Sequence, residues 1–589
     1  MTKKPESATR GHGGLRGLKF VNGSSISGGR FGRMFRWLPG ETYEKKDLEN
    51  LAKQMIQLEA ATLRTSGPHQ PLGEPFSEGP DILFNTVKPG GELLDTAFGT
   101  SEAGDENPTI PAGYTYFGQF IDHDLTFDPN SSLQKQNDPD ALEDFRTPRF
   151  DLDSVYGRGP DDQPYLYDNG PGADGFHFLL GRDDRGQLRA GEIPRNVDGR
   201  ALLGDPRNDE NVLICQLQAV FLNFHNKVFD TLNAAARPER TKHDVFLEAQ
   251  RIVRWHYQYL VLHDYLPRIV GQRTADRVLR GGEHGKPQLQ FYKPKLGQAY
   301  MPVEFSVAAF RFGHSMIRPS YALRPGEHSV GGSQEKPFSG DPYQRFHRIP
   351  VFSDRRERGA NLSGFGTLFP RWEIDWNLFF SKHDMPVRPA TDGEDKGALE
   401  VFNSKTQPGY RIDTKLVDPL AMLPPNVAKS GNMADGIPVL AYRNLLRGSE
   451  FSLPSGQSVA AALGITPLSH EQLWSDVGND DTFKDQRKNP FAFRAPLWFY
   501  ILKEAEYQKR AGLERDKKGG HHMGEVGGRI VAEVLVGICE SDHTSYLYQE
   551  STWTPDKEKA KSGFDPKASL KTMFELIEWT TGGDMTFLR

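Results

Sequence analysis

The segment Ala112-Gly-Tyr-Thr-Tyr-Phe-Gly-Gln-Phe-Ile-Asp-His-Asp-Leu-Thr126 sets Gln119, Asp122, His123 and Asp124 inside a run that is otherwise aromatic and apolar. Read as a helix, it places Gln119 and His123 at i and i+4, on one face. Such a run has to be buried, and burying this much polarity with it costs free energy unless each group finds a partner. A buried histidine beside carboxylates and an amide is a proton-handling arrangement. The plainer reading is a core histidine satisfied by one hydrogen bond. The choice turns on what the rest of the chain brings to the same place.

Net charge is −6 over 589 residues, which gives no reason to expect nucleic acid or an anionic membrane as partner. Hydrophobic residues at 37% and charged residues at 25% suit a globular fold, and 41 prolines with 60 glycines imply many loops. Two cysteines, Cys215 and Cys539, exclude a disulfide framework; both lie in apolar, helix-like runs that suit buried free thiols. The N-terminal stretch MTKKPESATRGHGG lacks the apolar centre of a secretory signal, and no run reaches the roughly 18–20 apolar residues of a membrane span. A cytoplasmic location is therefore the expectation, with export without a cleaved signal left open.

The expected organisation is a flexible segment over residues 1–30 followed by one domain over 31–589. Glu44 to Leu63 reads as an amphipathic helix with Leu48, Leu51, Met55 and Leu58 on one side. Helical spacing recurs over 211–232, 240–270, 302–316 and 528–539, with proline-rich loops over 317–350 and 382–410. Strand-like alternation is scarce and no internal repeat is present. The fold class is mainly α: a single large helical domain with long loops and little β.

Further segments carry chemistry-bearing residues. Gly204-Asp-Pro-Arg-Asn-Asp-Glu-Asn211 opens a helix expected to begin near Asn208, with Arg207 and Glu210 at its N-terminal end; alone it reads as capping. Ala308-Ala-Phe-Arg-Phe-Gly-His-Ser-Met316 puts His314 in an apolar helix, with Gly313 allowing something flat to come close. Asn444 and Arg447 stand three apart on a helix face. The loop Thr147-Pro-Arg-Phe-Asp-Leu-Asp153 alternates hard oxygen donors that suit calcium, although it lacks EF-hand spacing and reads equally as a turn. His225, His256 and His263 fall on long helices and read as packing residues, whereas His521 and His522 follow a Lys-Lys-Gly-Gly loop and read as solvated.

Taken in order, FRWLP, FGQFIDHDLTF, TPRFDLDSVYG, GDPRNDEN, FLNFHNKV, FRFGHSMIRP and LLRGSEFSLP make the chain, from about Arg30 onward, resemble the animal-type haem peroxidases of the peroxidase–cyclooxygenase superfamily, in a bacterial-looking form. The resemblance implies haem b and calcium as cofactors, with hydrogen peroxide and a small-molecule electron donor as partners. It assigns His123 as the distal histidine, acting as general base then acid on peroxide. Arg207 becomes the distal arginine that stabilises charge on the departing oxygen. Gln119 becomes the distal glutamine, which orients water or a small anion. His314 corresponds to the axial ligand of the haem iron, and Asn444 to the asparagine that accepts that histidine's other ring N–H. Arg311 and Arg447 correspond to arginines along the haem, near its propionates. Asp122 and Glu210 match carboxylates that form ester links to the haem in many relatives. Asp124, Thr147, Asp151 and Asp153, with the carbonyl of Arg149, match the family's calcium site.

After Glu210 comes Asn211, where one branch of the family has a methionine that makes a third, sulfonium link. Its absence points away from chloride and toward bromide, iodide, thiocyanate or phenols. Fatty-acid dioxygenases of the superfamily carry a radical-forming tyrosine three residues before the axial histidine; here that position is Arg311. A non-catalytic relative would lack His123, Arg207 or His314. A di-metal or hydrolytic site built on the same residues would bind no haem.

Overall fold

The computed structural model describes residues 29–56, 105–126, 143–144, 148–182, 186–235, 239–324, 349–352, 361–369, 372–389, 399–401, 405–421, 423, 439–477 and 481–587. The expectations for residues 1–28, for Leu58 to Leu63, for Thr147 and for most of the long loops lie outside them.

The protein is mainly α-helical with few, short strands. Seven helices position the site. Helix α1 (Lys45–Gln54) buries Leu48, Leu51 and Ala52 at helical spacing. Helix α2 (Gly113–Leu125) is buried on nearly every side. Helix α3 (Val212–Ala234) is capped by Asn211, whose side-chain oxygen accepts from the N–H groups of Leu213 and Ile214. It therefore starts four residues later than the expected Asn208, because Pro206–Asp209 closes a tight 3-10 turn of its own. Helix α4 (Lys242–Leu260) opens with a Thr241–Asp244 capping box and continues through a wide turn at Val261–Tyr265 and a last turn at Leu266–Val270. Gly271 ends that run at φ +79°, a conformation open to glycine. Helices α5 (Leu440–Glu450), α6 (Leu497–Ala505) and α7 (Glu525–Glu540) complete the set.

Every residue of α7 from Val526 to Cys539 is buried, so this helix is core all round. The two charges within that stretch are paired: Arg529 Nε donates to Glu533 Oε1 at 2.6 Å, and Glu533 Oε2 accepts the N–H groups of Gln290, Phe291 and Tyr292. Aromatic packing fixes α2 against α3 and α4. Phe120 stacks on Phe221 with ring centroids 4.6 Å apart, and Tyr257 meets both edge-on at 6.0 and 5.8 Å. Among the described residues the strands only pin chain ends. Gly29–Gly32 runs parallel to Met301–Pro302 and antiparallel to Glu143–Asp144, and Glu106–Pro111, which leads into α2, pairs antiparallel with Pro408–Tyr410.

Residues 302–316 depart from the regular helix expected of them. A wide π turn at Glu304–Ala308 passes into a tight 3-10 stretch at Ala309–Met316, with Ala308 at φ −127°, ψ −71°. Glu304 explains the departure: its buried carboxylate accepts the N–H groups of Met34 and Phe35 at 3.0 and 3.1 Å, holding this turn to the N-terminal strand. Among the described residues no helix is long and apolar enough to cross a membrane.

Candidate active site

A cavity of about 420 Å³ opens between α2 and the 205–211 turn on one side and residues 306–317 with α5 on the other. Gln119, Asp122, His123, Arg207, Glu210, Arg311, His314 and Arg447 all line it, so four sequence-distant segments converge on one space. Asn444 does not line the cavity but bonds to His314, and Asp124 is turned to a separate cluster below.

On the α2 side, Gln119 and His123 reach the cavity together, as their i, i+4 spacing requires. His123 Nδ1 lies 2.7 Å from Asn208 Oδ1, and its Nε2 lies 3.6 Å from Glu210 Oε1. Gln119 donates to Glu210 and accepts from Asn211 Nδ2 at 3.2 Å. Its amide therefore ties the two residues that open α3 to α2. Arg207 Nη2 donates to the carbonyls of His123 (2.9 Å) and Thr126 (2.5 Å) at the C-terminal end of α2, where a cation is favoured. The same guanidinium meets the fully buried Asp205 through Nη2–Oδ2 (2.8 Å) and Nε–Oδ1 (3.2 Å). Asp205, Asn208 and Gln218 carry site geometry that sequence reasoning did not single out. The Asp-Pro-Arg spacing, with a carboxylate two residues before the arginine, is the signal that marks Asp205.

Burial dominates the electrostatics. It pushes Glu210 up to about 7, with Arg207 opposing and Asp205 and Asp122 adding to the rise. Burial also raises Asp122 above the usual carboxylate range, opposed by Arg207 and Arg311. On the other side, burial and then Arg311 and Arg443 push His314 down to about 3, which leaves a neutral imidazole. Arg311 falls to about 10 through burial and the neighbouring Arg447 and Arg443. Gly313, beside His314, has nothing within 4 Å of where a Cβ would stand, so the cavity is open there.

The Asn444 amide sits the other way round from the expected acceptor. Arg311 Nη1 donates to Asn444 Oδ1 at 3.0 Å, and Asn444 Nδ2 faces His314 Nδ1 at 2.9 Å. A guanidinium can only donate, so it claims the oxygen and leaves the NH₂ for the imidazole.

Asp124, Asp151 and Asp153 bring carboxylate oxygens within 4.8 Å of one another, beside half-buried Arg149. Asp124 is fully buried and accepts from Leu152 N (3.3 Å) and Ser154 Oγ (3.4 Å). His225 and His256 are buried packing residues held by Tyr156 and by the Ile252 carbonyl, and both cysteines are buried free thiols. His521 is not solvated as its glycine neighbours suggest. It is 1% exposed, with Nε2 2.6 Å from Asp516 Oδ2, because Asp516 and Arg411 form a buried pair that takes it in.

The geometry is that of a helical protein built around a cavity with a histidine on each side. A sequence model of the family described as animal haem peroxidase matches residues 145–341. The chain is 26% identical over 297 residues to a peroxidase-like protein of Margaritifera margaritifera, covering 40% of this chain and 35% of that protein. It is 33% identical over 137 residues to thyroid peroxidase of Sus scrofa (22% and 14%), and 29% identical over 126 residues to dual oxidase of Drosophila melanogaster (21% and 7%). The chain thus spans about a third or less of the length of these curated relatives. In fold it is similar to peroxidase A from Dictyostelium discoideum, with a TM-score of 0.50 at 17% identity over 82% of this chain and 87% of that one. It is similar also to the fatty acid alpha-dioxygenase of Oryza sativa, with a TM-score of 0.52 at 15% identity over 82% and 77%. Over residues 145–341 the chain is thus similar to the animal haem peroxidase family.

Proposed function

We propose that this chain is a haem-dependent peroxidase that reduces hydrogen peroxide and oxidises small anions such as iodide, bromide or thiocyanate, or phenolic donors. The observation that carries this reading is the meeting of His123, Arg207 and His314 at one cavity. The donor set suits haem. A neutral imidazole is the form that binds a metal, and His314 is neutral. Arg311, Arg443 and Arg447 gather cationic charge on the same wall, where carboxylate groups of a ligand would be paired. Haem, when bound, supplies a redox-active iron that takes oxidising equivalents from peroxide and passes them to the donor.

The protein's own groups handle protons and charge. His123 accepts a peroxide proton at Nε2 and returns it to the departing oxygen. Arg207 faces the negative charge that develops there, its guanidinium aimed by Asp205 and by the end of α2. His314 must present an Nε2 lone pair to the iron, which requires a proton on Nδ1 and an acceptor for it. Asn444 would be that acceptor if its amide were turned over, which would require Arg311 to exchange the amide oxygen for a carboxylate of the bound group. Asp122 and Glu210, which both line the cavity, would be the carboxylates for ester links to the haem in this reading. In this reading Asp124, Asp151 and Asp153 would hold calcium, with Thr147 and the Arg149 carbonyl as the resemblance implies, since carboxylate oxygens within 4.8 Å of one another suit that hard cation.

The test is the absorption spectrum of haem-supplied protein before and after one equivalent of hydrogen peroxide, beside His314→Ala. The reading expects a Soret band that changes with peroxide and is restored by iodide or a phenol, and loss of stable haem in the variant. A Soret band indifferent to peroxide, or none at all, overturns it.

A further inference from the structure

We propose that the backbone carbonyl of Ser154, acting through Gln218 and Asn208, fixes the tautomer of His123, so that Nδ1 carries the proton and Nε2 offers its lone pair on the cavity side. The inference deepens the peroxidase reading and rests on it for its catalytic consequence. Three hydrogen bonds make the chain of cause. Gln218 Nε2 donates to Ser154 O at 3.5 Å, Asn208 Nδ2 donates to Gln218 Oε1 at 2.8 Å, and Asn208 Oδ1 lies 2.7 Å from His123 Nδ1. A carbonyl oxygen can only accept, so Gln218 must turn its NH₂ toward Ser154. That leaves Gln218 Oε1 facing Asn208, which must answer with its own NH₂. Asn208 then has only its oxygen left for the imidazole, and an oxygen requires N–H at Nδ1. Each amide has one donor end and one acceptor end, so the direction set at Ser154 passes unchanged to the histidine.

Burial makes this direction hard to reverse. Asn208 and Gln218 are both 0% exposed, and turning either amide sets like groups face to face away from solvent. Glu210 competes from the other side of the ring, because a carboxylate would favour N–H at Nε2. Its oxygen is 3.6 Å away, beyond hydrogen-bond reach, against 2.7 Å at Nδ1. Ser154 lies in the short helix Asp153–Tyr156 that follows the acidic loop, and its hydroxyl also donates to Asp124 at 3.4 Å. One short segment thus holds both the residue after His123 and the carbonyl that sets His123's proton. Asn208 and Gln218 are positioning residues: neither lines the cavity.

The experiment is histidine-ring ¹⁵N NMR of the full chain, reduced under carbon monoxide so that any bound haem is diamagnetic, with His123 identified by its loss in His123→Gln. Wild type is expected to show Nδ1–H with an unprotonated Nε2. Asn208→Leu is expected to move the ring to Nε2–H, and Asn208→Asp, whose carboxylate still accepts, to retain Nδ1–H. Gln218→Leu, which covers the case of an Asn208→Leu protein that fails to fold, is expected to give a mixture of both tautomers. An Nε2–H ring in wild type, or an Nδ1–H ring unchanged in either leucine variant, overturns the inference. The bimolecular rate with hydrogen peroxide is expected to fall at least about 100-fold in Asn208→Leu and to stay within a few-fold in Asn208→Asp. A wild-type protein with the proposed tautomer that ignores peroxide refutes the peroxidase reading and leaves this inference standing.

Discussion

Glu210 gives the most direct test of the cavity's electrostatics. Burial lifts its carboxyl from the ordinary 4.5 to about 7. At about 1.4 kcal/mol per unit, that rise places a penalty of about 3 kcal/mol on the ionised form. The side chain is 27% exposed, toward the cavity, and water there trims the penalty to about 1–3 kcal/mol. Glu210→Gln keeps the shape and the oxygen that accepts from Gln119, and it removes the titration. Because the folded state holds this proton more tightly than the unfolded chain, Glu210 contributes most below pH 4.5. That contribution is lost as the pH rises through about 7. The variant and wild type should therefore be about equally stable near pH 4.5. The variant should gain progressively and lead by about 1–3 kcal/mol above pH 7. Urea denaturation of both haem-free proteins across that range measures the gap, and the difference cancels every titration they share. A gap of the same size at pH 5 and pH 8, or wild type gaining with pH, would refute the argument.

Asp205→Ala strands the Arg207 guanidinium without its carboxylate, and should cost about 2–4 kcal/mol in urea denaturation and slow the reaction with peroxide at least about tenfold by stopped flow. If Asp124, Asp151 and Asp153 hold calcium, the purified protein should carry about one calcium per chain by elemental analysis, and removing it with a chelator should lower the thermal transition. An unchanged transition in excess chelator would argue that the cluster is a turn. Phe120→Ala removes the ring stacked on Phe221 and should destabilise the fold by about 3–5 kcal/mol, read from the same denaturation experiment.

The parts of the site that were legible in the sequence are those set by local pattern. The spacing of Gln119 and His123 needs only a helix to put them on one face, and the aromatic run around them needs only burial to form one. Arg207, Glu210, Asn444 and Arg447 became candidates only through resemblance to a family, since each segment alone reads as a cap or a helix face. What stayed hidden depends on distant partners. Asn208 and Gln218 look like ordinary polar residues at the start of a helix, and their meaning comes from a histidine 85 residues away. The helical pattern of 302–316 is real, yet Glu304 bonds to backbone 270 residues distant and bends the segment off the regular path. His521 departs from its expected exposure for the same reason: its glycine neighbours signal an exposed loop, and only tertiary structure brings Asp516 and Arg411 around it.

The fold alone leaves two chemistries open, because it is shared with both a peroxidase and a fatty acid alpha-dioxygenase. They ask different things of the cavity. Dioxygenation of a fatty acid needs an oxidisable residue poised to take a hydrogen from the lipid, whereas peroxide reduction needs a base and a fixed positive charge near a small ligand. At the position three before His314 this chain has Arg311, whose guanidinium is spent on Asn444 and on the Ser306 carbonyl, both at 3.0 Å. Tyr116 is a phenol that does line the cavity, paired edge-on with Tyr321 at 5.5 Å. Burial, reinforced by Tyr321, holds its hydroxyl proton far above the usual phenol range. The proposed base and charge, His123 and Arg207, by contrast both line the cavity. Tyr116→Phe should therefore leave peroxide-dependent iodide oxidation within about twofold of wild type, and neither protein should take up oxygen with a long-chain fatty acid. Fatty-acid-dependent oxygen uptake in wild type that disappears in Tyr116→Phe would reverse the assignment and make this tyrosine the oxidised group.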